Sequence, residues 1–383
     1  MKHTTLLFLC LVFQSFLPVS GQAQITKGAF DTKTIDTIVM RRAEADSLSG
    51  IVLIGSPEGV LYRRSVGMSN RTWNIDTAPN HRFDISSLNK SFIAALVLMA
   101  VEEGRLLLYE PVVLPGKRAV PGLSFPAGVT LHQTLTHTAG MPDYGNLGKE
   151  WKRDNFRKLK RLRLDPQAYS AFVMEAPRLF KPGKNFHYSN FGYHLTAMLL
   201  ERAYGMDFGD LLNKKILGPL ELRSTFSPVD NETIYPKVAQ GYNFDKKTRT
   251  WRTNQFIDFS LGRRIFSTAD DLYKWTMALE NGKLLTAESK KRMFSNHLSG
   301  ITDKISYGYG WAVFRQGDTY GMGNLSLPKD YVIHGGSTEG YRSLVVSVAG
   351  GELVFVLLAN SGDRTKIMDT AKEILHSIYN ITP

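Results

Sequence analysis

Apolar positions along the chain change their spacing twice. Near the start, Ile35, Ile38, Val39 and Ala43 recur at helical intervals and predict a helix between Phe30 and Ser47. Continuous apolar runs follow at Gly50–Ile54 and Val60–Tyr62. They flank Ser56-Pro57-Glu58-Gly59, a turn that predicts a hairpin. The middle of the chain returns to helical spacing. A long apolar pattern from Ile93 to Ala100 stops at Glu102-Glu103-Gly104. Prolines at 111, 115, 121 and 126 mark loop from Leu106 to Gly128. Shorter helices are predicted at Leu131–Leu135 behind a Thr130 cap, at Ala168–Glu175, at His194–Tyr204 and at Asp207–Leu217. Leu220–Lys247 has no clear period. Two more helices follow, one opening at Phe266–Leu272 and running to Asn281-Gly282, the other at Ala287–Phe294. Strand patterns then return at Gly308–Val313, Tyr331–Ser337, Arg342–Val348 and Glu352–Leu358. A last helix spans Thr365–Tyr379.

Strands at both ends with helices between them predict an α+β fold. The simplest assembly joins the strands in one antiparallel sheet, with the terminal helices on one face and the helical middle on the other. With no internal repeat or linker, residues 24–383 read as one unit of two lobes. The α/β lobe takes in about 28–85 and 300–383, the helical lobe about 86–299.

Residues 1–23 read as a secretory signal. Lys2 supplies the charge, Leu6–Val12 the apolar heart, and Pro18–Ala23 the small residues for cleavage after Ala23. Gln14 and Pro18 leave that run short of the roughly 20 residues of a membrane span. The expected location is therefore periplasmic or secreted. Cys10, the one cysteine of the 383 residues, lies within this segment, so the mature chain has no thiolate metal site or disulfide. The net charge is +12. Much of it lies in 149–165, where eight basic residues face three acidic ones and Trp151, Phe156, Leu159 and Leu162 interleave. This stretch reads either as a solvated amphipathic helix or as a surface for peripheral contact with an anionic membrane or wall. No nucleic-acid motif accompanies it, and nucleic acid is not an expected partner.

The candidate chemistry begins at Ser87 and Lys90. On a helix, residues three apart share a face, so the amine can reach the hydroxyl. A serine needs a base or a lysine stripped of charge before it attacks anything. The alternative is a plain helix start, with Ser86 or Ser87 as cap and Lys90 in solvent. Tyr188, on a short loop ahead of an apolar helix, is a candidate base, and Asn190 a candidate donor to a substrate amide. His137, ahead of a Gly-Met-Pro turn, is a base or a buried structural histidine. The histidines show no metal-ligand spacing, and no cofactor is implied.

In order, Ser87-Leu88-Asn89-Lys90, Tyr188-Ser189-Asn190 and His334-Gly335-Gly336 resemble the motifs of the serine β-lactamase and penicillin-binding-protein superfamily. The likeness is to its class C-related group of esterases and D-peptidases. Leu135–Pro142, Ser267–Leu272 and Gly308–Trp311 support it. The resemblance implies the β-lactamase/DD-peptidase-like fold and gives each position a role. Ser87 would be the acylated nucleophile, Lys90 its proton partner and Tyr188 the general base. Asn190 would orient the substrate amide. The backbone N–H groups of Ser87 and Ser337, beside Gly335 and Gly336, would form the oxyanion hole. Two positions depart from the pattern. His334 stands where β-lactamases proper carry lysine, which weakens β-lactam hydrolysis. Leu261-Gly262-Arg263-Arg264 replaces a small-residue stretch. Its arginines read as exposed loop residues or as an anchor for a substrate carboxylate. The expectation is a secreted serine hydrolase acting on a small ester, a peptide amide or a cell-wall-derived substrate. The alternatives are a catalytically silent, penicillin-binding-protein-like ligand-binding relative and a basic surface-binding protein.

Overall fold

The computed structural model describes residues 31–114, 123–143, 170, 173–174, 176–230, 233–253 and 263–381. The signal pattern, the basic stretch 149–165 and Leu261-Gly262 lie outside the described residues.

Helix α1 (Thr32–Glu44) starts where Asp31 accepts a hydrogen bond from the Lys33 N–H. It packs Ile35, Ile38 and Val39 inward. The hairpin of β1 (Gly50–Ser56) and β2 (Gly59–Val66) follows as its turn predicts. The short strands β3 (Met68–Asn70) and β4 (Ile75–Asp76) pair with each other, as do β5 (Phe83–Asp84) and β8 (Phe266–Ser267); the C-terminal strands are β9 (Ala312–Phe314), β10 (Tyr331–Thr338), β11 (Tyr341–Val348) and β12 (Leu353–Ala359). The first hairpin and the C-terminal strands form one antiparallel sheet in the order β2-β1-β12-β11-β10-β9. The first hairpin thus docks on the last strand, joining the two ends of the chain.

Both faces of the sheet are covered, which is why its central strands read as unbroken apolar runs rather than alternations. Along β12, Leu353, Phe355 and Leu357 face a core shared with α1 and the closing helix α8 (Ile367–Ile378). Val354, Val356 and Leu358 face the second core, shared with the helical lobe. That lobe is built around α2 (Asn89–Glu102), buried on all sides from Asn89 to Ala100. Such a helix must be apolar all round. Against α2 lies α4 (Asn190–Tyr204), and α6 (Ala269–Glu280) stacks Trp275 on Phe92 at 4.1 Å between ring centroids. The short α3 (Leu131–Leu135) opens on a capping box from Thr130 and Gln133, α5 (Phe208–Leu212) follows α4, and α7 (Ala287–Met293) follows α6. No helix of the described residues is long and apolar enough to cross a membrane.

The structure differs from the sequence reading at several points, among them the strand read at Gly308–Val313, which begins only at Ala312. Asn190 already belongs to α4, whose cap is Ser189, so that helix starts four residues earlier than its apolar pattern indicates. Tyr242–Asp245 and Thr250–Thr253 form a small hairpin, β6–β7, in a stretch read as irregular. Neither Ser86 nor Ser87 caps α2 by its side chain. Ser86–Leu88 is a 3₁₀ turn, and Lys90 is 3% exposed rather than solvated.

Candidate active site

The turn that carries Ser87 is fixed from three directions. From within, the Asp84 carboxylate accepts the Ser86 N–H at 2.8 Å. From the helical lobe, the buried Arg264 guanidinium pairs with Asp84, and the Ile85 N–H donates to the Ile265 carbonyl at 3.0 Å. From the sheet, the Ser343 hydroxyl of β11 donates to the Ile85 carbonyl at 2.6 Å. Together they hold Ser86 at φ 52°, a left-handed conformation that a non-glycine residue adopts only when its surroundings impose it. Ser87 follows, part of its surface open to solvent.

Strand β10 passes close beside this turn. β9 pairs with Tyr331–Ile333, so from His334 onward the outer edge of β10 has no strand neighbour among the described residues and packs on residues 86–88. A Cβ at Gly336 would fall 2.1 Å from the Ile85 carbonyl oxygen and 2.3 Å from the Ser343 hydroxyl. Only glycine allows that approach. Ser337, next along, is exposed. Gly310, at φ 73°, packs in the same way against the Lys90 carbonyl. Its own carbonyl accepts from His334 Nδ1.

Lys90 is buried under Tyr188. Its Nζ lies 4.9 Å from the Tyr188 ring centroid and 5.5 Å from that of Tyr193, and it donates to Asn190 Oδ1 at 2.8 Å. Burial pushes the amine down to about 7, against a smaller upward pull from the Asp143 carboxylate. The Tyr188 phenol is near enough to Ser87 for the serine to pull its pKa downward. Its pKa is nonetheless raised, by burial first, with the Asp143 charge adding to the rise. His334 is lowered to about 4 by burial and is neutral at pH 7.

His137 stands behind the tyrosine as a structural residue. Its ring lies 4.3 Å from that of Tyr188, and its Nδ1 accepts the Ser189 N–H at 3.1 Å. Its carbonyl accepts the His187 N–H at 2.9 Å. Burial holds it well below the usual histidine range, so it is neutral. With Nδ1 accepting, the proton sits on Nε2, which has no hydrogen-bond partner among the described residues.

Ser87, Lys90, Tyr188 and Asn190 therefore meet in one place, with His334, Gly335, Gly336 and Ser337 along its wall. The two arginines do not join them. Arg263 pairs with Glu201 at 2.6 Å and Arg264 with Asp84, both largely buried, so neither is an exposed loop cation or a free anchor. Sequence reasoning missed Asp143, which accepts from Asn190 N–H at 2.9 Å and Asn190 Nδ2 at 3.0 Å. Its one visible signal is its position directly after the Gly-Met-Pro turn. Among the described residues no group of three histidine or acidic side chains is placed to hold a metal ion.

The sequence profile of the Beta-lactamase family matches residues 35–379. This chain belongs to the β-lactamase family. Penicillin-binding protein 4* of Bacillus subtilis (strain 168) is 27% identical over 362 residues, covering 90% of this chain and 76% of that protein. A penicillin binding protein from Bacillus halodurans superposes with TM-score 0.72 at 24% identity, over 91% of this chain and 99% of the other. D-amino acid amidase from Ochrobactrum anthropi SV3, solved with D-phenylalanine, superposes with TM-score 0.71 at 20% identity, over 92% and 99%. At these identities the solved structures establish the shared β-lactamase/penicillin-binding-protein fold, an α+β architecture.

Proposed function

We propose that the chain is a serine hydrolase working through an acyl-enzyme on Ser87. Its substrate is an ester or a D-amino-acid amide with no carboxylate beside the scissile bond. The observation that carries this is the Lys90 amine, buried beneath the Tyr188 ring one helical turn from Ser87 and bonded to Asn190 Oδ1, with its pKa lowered to about 7.

The raised phenol and lowered amine divide the work. Near pH 7 the phenol keeps its proton, while a large share of Lys90 is free amine. The Ser87 proton passes to Tyr188 as the phenolic proton passes to Lys90. The Ser87 oxygen bonds to the substrate carbonyl carbon, and the carbonyl π pair moves onto oxygen. The N–H groups of Ser87 and Ser337 receive that charge; such donors are worth about 3 kcal/mol each in the transition state. The carbon–oxygen or carbon–nitrogen bond then breaks, and the leaving group takes the proton back along the same route. Water repeats the sequence on the ester, freeing the acid and restoring Ser87.

The substrate class follows from charge. His334 is neutral, and Arg263 and Arg264 are bound to carboxylates of the chain. A β-lactam or a free peptide C-terminus brings a carboxylate, for which the described wall offers no such cation. The likeness to penicillin-binding proteins and to D-amino acid amidase supports acyl transfer at this site. Export through cleavage of residues 1–23 belongs to the same reading, tested by a mature N-terminus at Gln24.

Intact-mass labelling tests the chemistry. A fluorophosphonate should add to Ser87, while a penicillin should add slowly or not at all. No adduct with the fluorophosphonate would refute the hydrolase. Rapid, stable acylation by penicillin would refute the substrate class.

A further inference from the structure

Asp143 is a carboxylate 5% exposed to solvent, and no step above uses it. A buried charge needs donors. Two of its donors come from Asn190: the backbone N–H, which is one of the unsatisfied amides at the start of α4, and the side-chain Nδ2. The other end of the same side chain, Oδ1, accepts from Lys90 Nζ. The sequence carboxylate, amide, amine has only one workable sense. With the amide reversed, its oxygen would face the carboxylate and its NH₂ the amine. Asp143 therefore fixes which way Asn190 points, and Asn190 in turn holds the Lys90 amine beneath Tyr188.

The charge matters as well as the alignment. The other titratable groups facing Lys90 are His137 and His334, both neutral, and the phenols of Tyr188 and Tyr193, with Tyr307 behind them. All three phenols are raised in pKa and uncharged near pH 7. Asp143 is the anion acting on the lysine within this group.

We propose that Asp143 is a positioning residue for the hydrolytic reaction. Through Asn190 it aligns the Lys90 amine beneath Tyr188, and its negative charge opposes loss of the proton from that amine. The role in turnover rests on the hydrolase reading above; the effect on Lys90 does not.

The test compares wild type, Asp143→Asn and Asp143→Glu. The Lys90 titration is followed by ¹⁵N-lysine NMR, assigned with Lys90→Met, and turnover of a short-chain p-nitrophenyl ester is measured against pH. In Asp143→Asn the Lys90 midpoint should fall by about one pH unit, and the acid limb of kcat should fall with it. The maximal kcat should drop at least tenfold while KM stays within about twofold, since alignment rather than binding is lost. Asp143→Glu should keep the wild-type midpoint. Asp143→Ser replaces the amide variant should that not fold. An unmoved midpoint after loss of the carboxylate overturns the proposal, as does an equal fall in Asp143→Glu. A wild type that forms no Ser87 adduct would end the hydrolase reading and leave the NMR titration to judge the effect of Asp143 on Lys90.

Discussion

Replacing Gly336 with alanine tests how the site is assembled. The added Cβ would sit 2.1 Å from Ile85 O, 2.3 Å from Ser343 Oγ and 3.0 Å from Ser86 Cβ. Two of these neighbours are backbone or backbone-anchored, and the Ser343 hydroxyl is already bonded to Ile85 O. No side chain can swing away, so β10 and the 86–88 turn must part by about 1 Å to reach ordinary contact. Overpacking of this kind costs about 1–3 kcal/mol. The larger effect is on chemistry. A shift of about 1 Å between the Ser337 and Ser87 amides spoils any shared grip on an oxyanion and is worth roughly 100-fold in rate. Gly335→Ala is the control, because its Cβ would meet only Leu344 Cδ1 at 3.3 Å and Ser343 O at 3.4 Å. Thermal unfolding and the rate of fluorophosphonate labelling should separate the two. Gly336→Ala should lose stability and nearly all labelling, and Gly335→Ala little of either. Equal labelling in both variants would show that the close approach of β10 to the Ser87 turn has no part in catalysis.

Further outcomes are expected from the same geometry. Ser87→Ala should abolish labelling and hydrolysis with little change in melting temperature, since the change removes one hydroxyl from a side chain partly open to solvent. Lys90 has its folded-state pKa lowered to about 7 from an ordinary 10.5, so the folded chain binds fewer protons across that window. Activity should rise with pH through about 7, and wild-type stability should rise relative to Lys90→Met between about 7 and 10.5, measured by denaturant unfolding. Arg264→Met should destabilise the fold by about 3–5 kcal/mol by stranding the buried Asp84 charge, with no rise in KM for an acidic ester. A stable variant with weakened binding of that ester would return Arg264 to the role of anchor.

The fold was readable where local chemistry and burial agree. Thr130 caps a helix as its position predicts, and the apolar runs at Gly50–Ile54 and Leu353–Leu358 are strands covered on both faces. The β6–β7 hairpin was hidden because its strands are short and half-exposed, and give no period. At the site, the resemblance brought out Ser87, Lys90 and Tyr188 through their spacing within known motifs. Spacing could not reveal Asp143, whose meaning depends on Asn190, 47 residues away. Nor could it reveal the Asp84–Arg264 pair, since two charges far apart in sequence look like surface residues until the chain buries them together. Ser86 shows the same limit: nothing in its neighbours announces φ 52°.

The turn bearing the nucleophile is braced by Ser343 and flanked by Gly336, both from the last eighth of the chain. While synthesis is under way, the serine emerges some 250 residues before its brace. A nascent or truncated chain lacking residues beyond about 330 would carry the hydroxyl, the amine and the phenol, yet have no reason to keep Ser86 in its costly conformation. Competence is thereby deferred until the polypeptide is nearly whole, and damage near the C-terminus should silence a serine that lies far upstream of it.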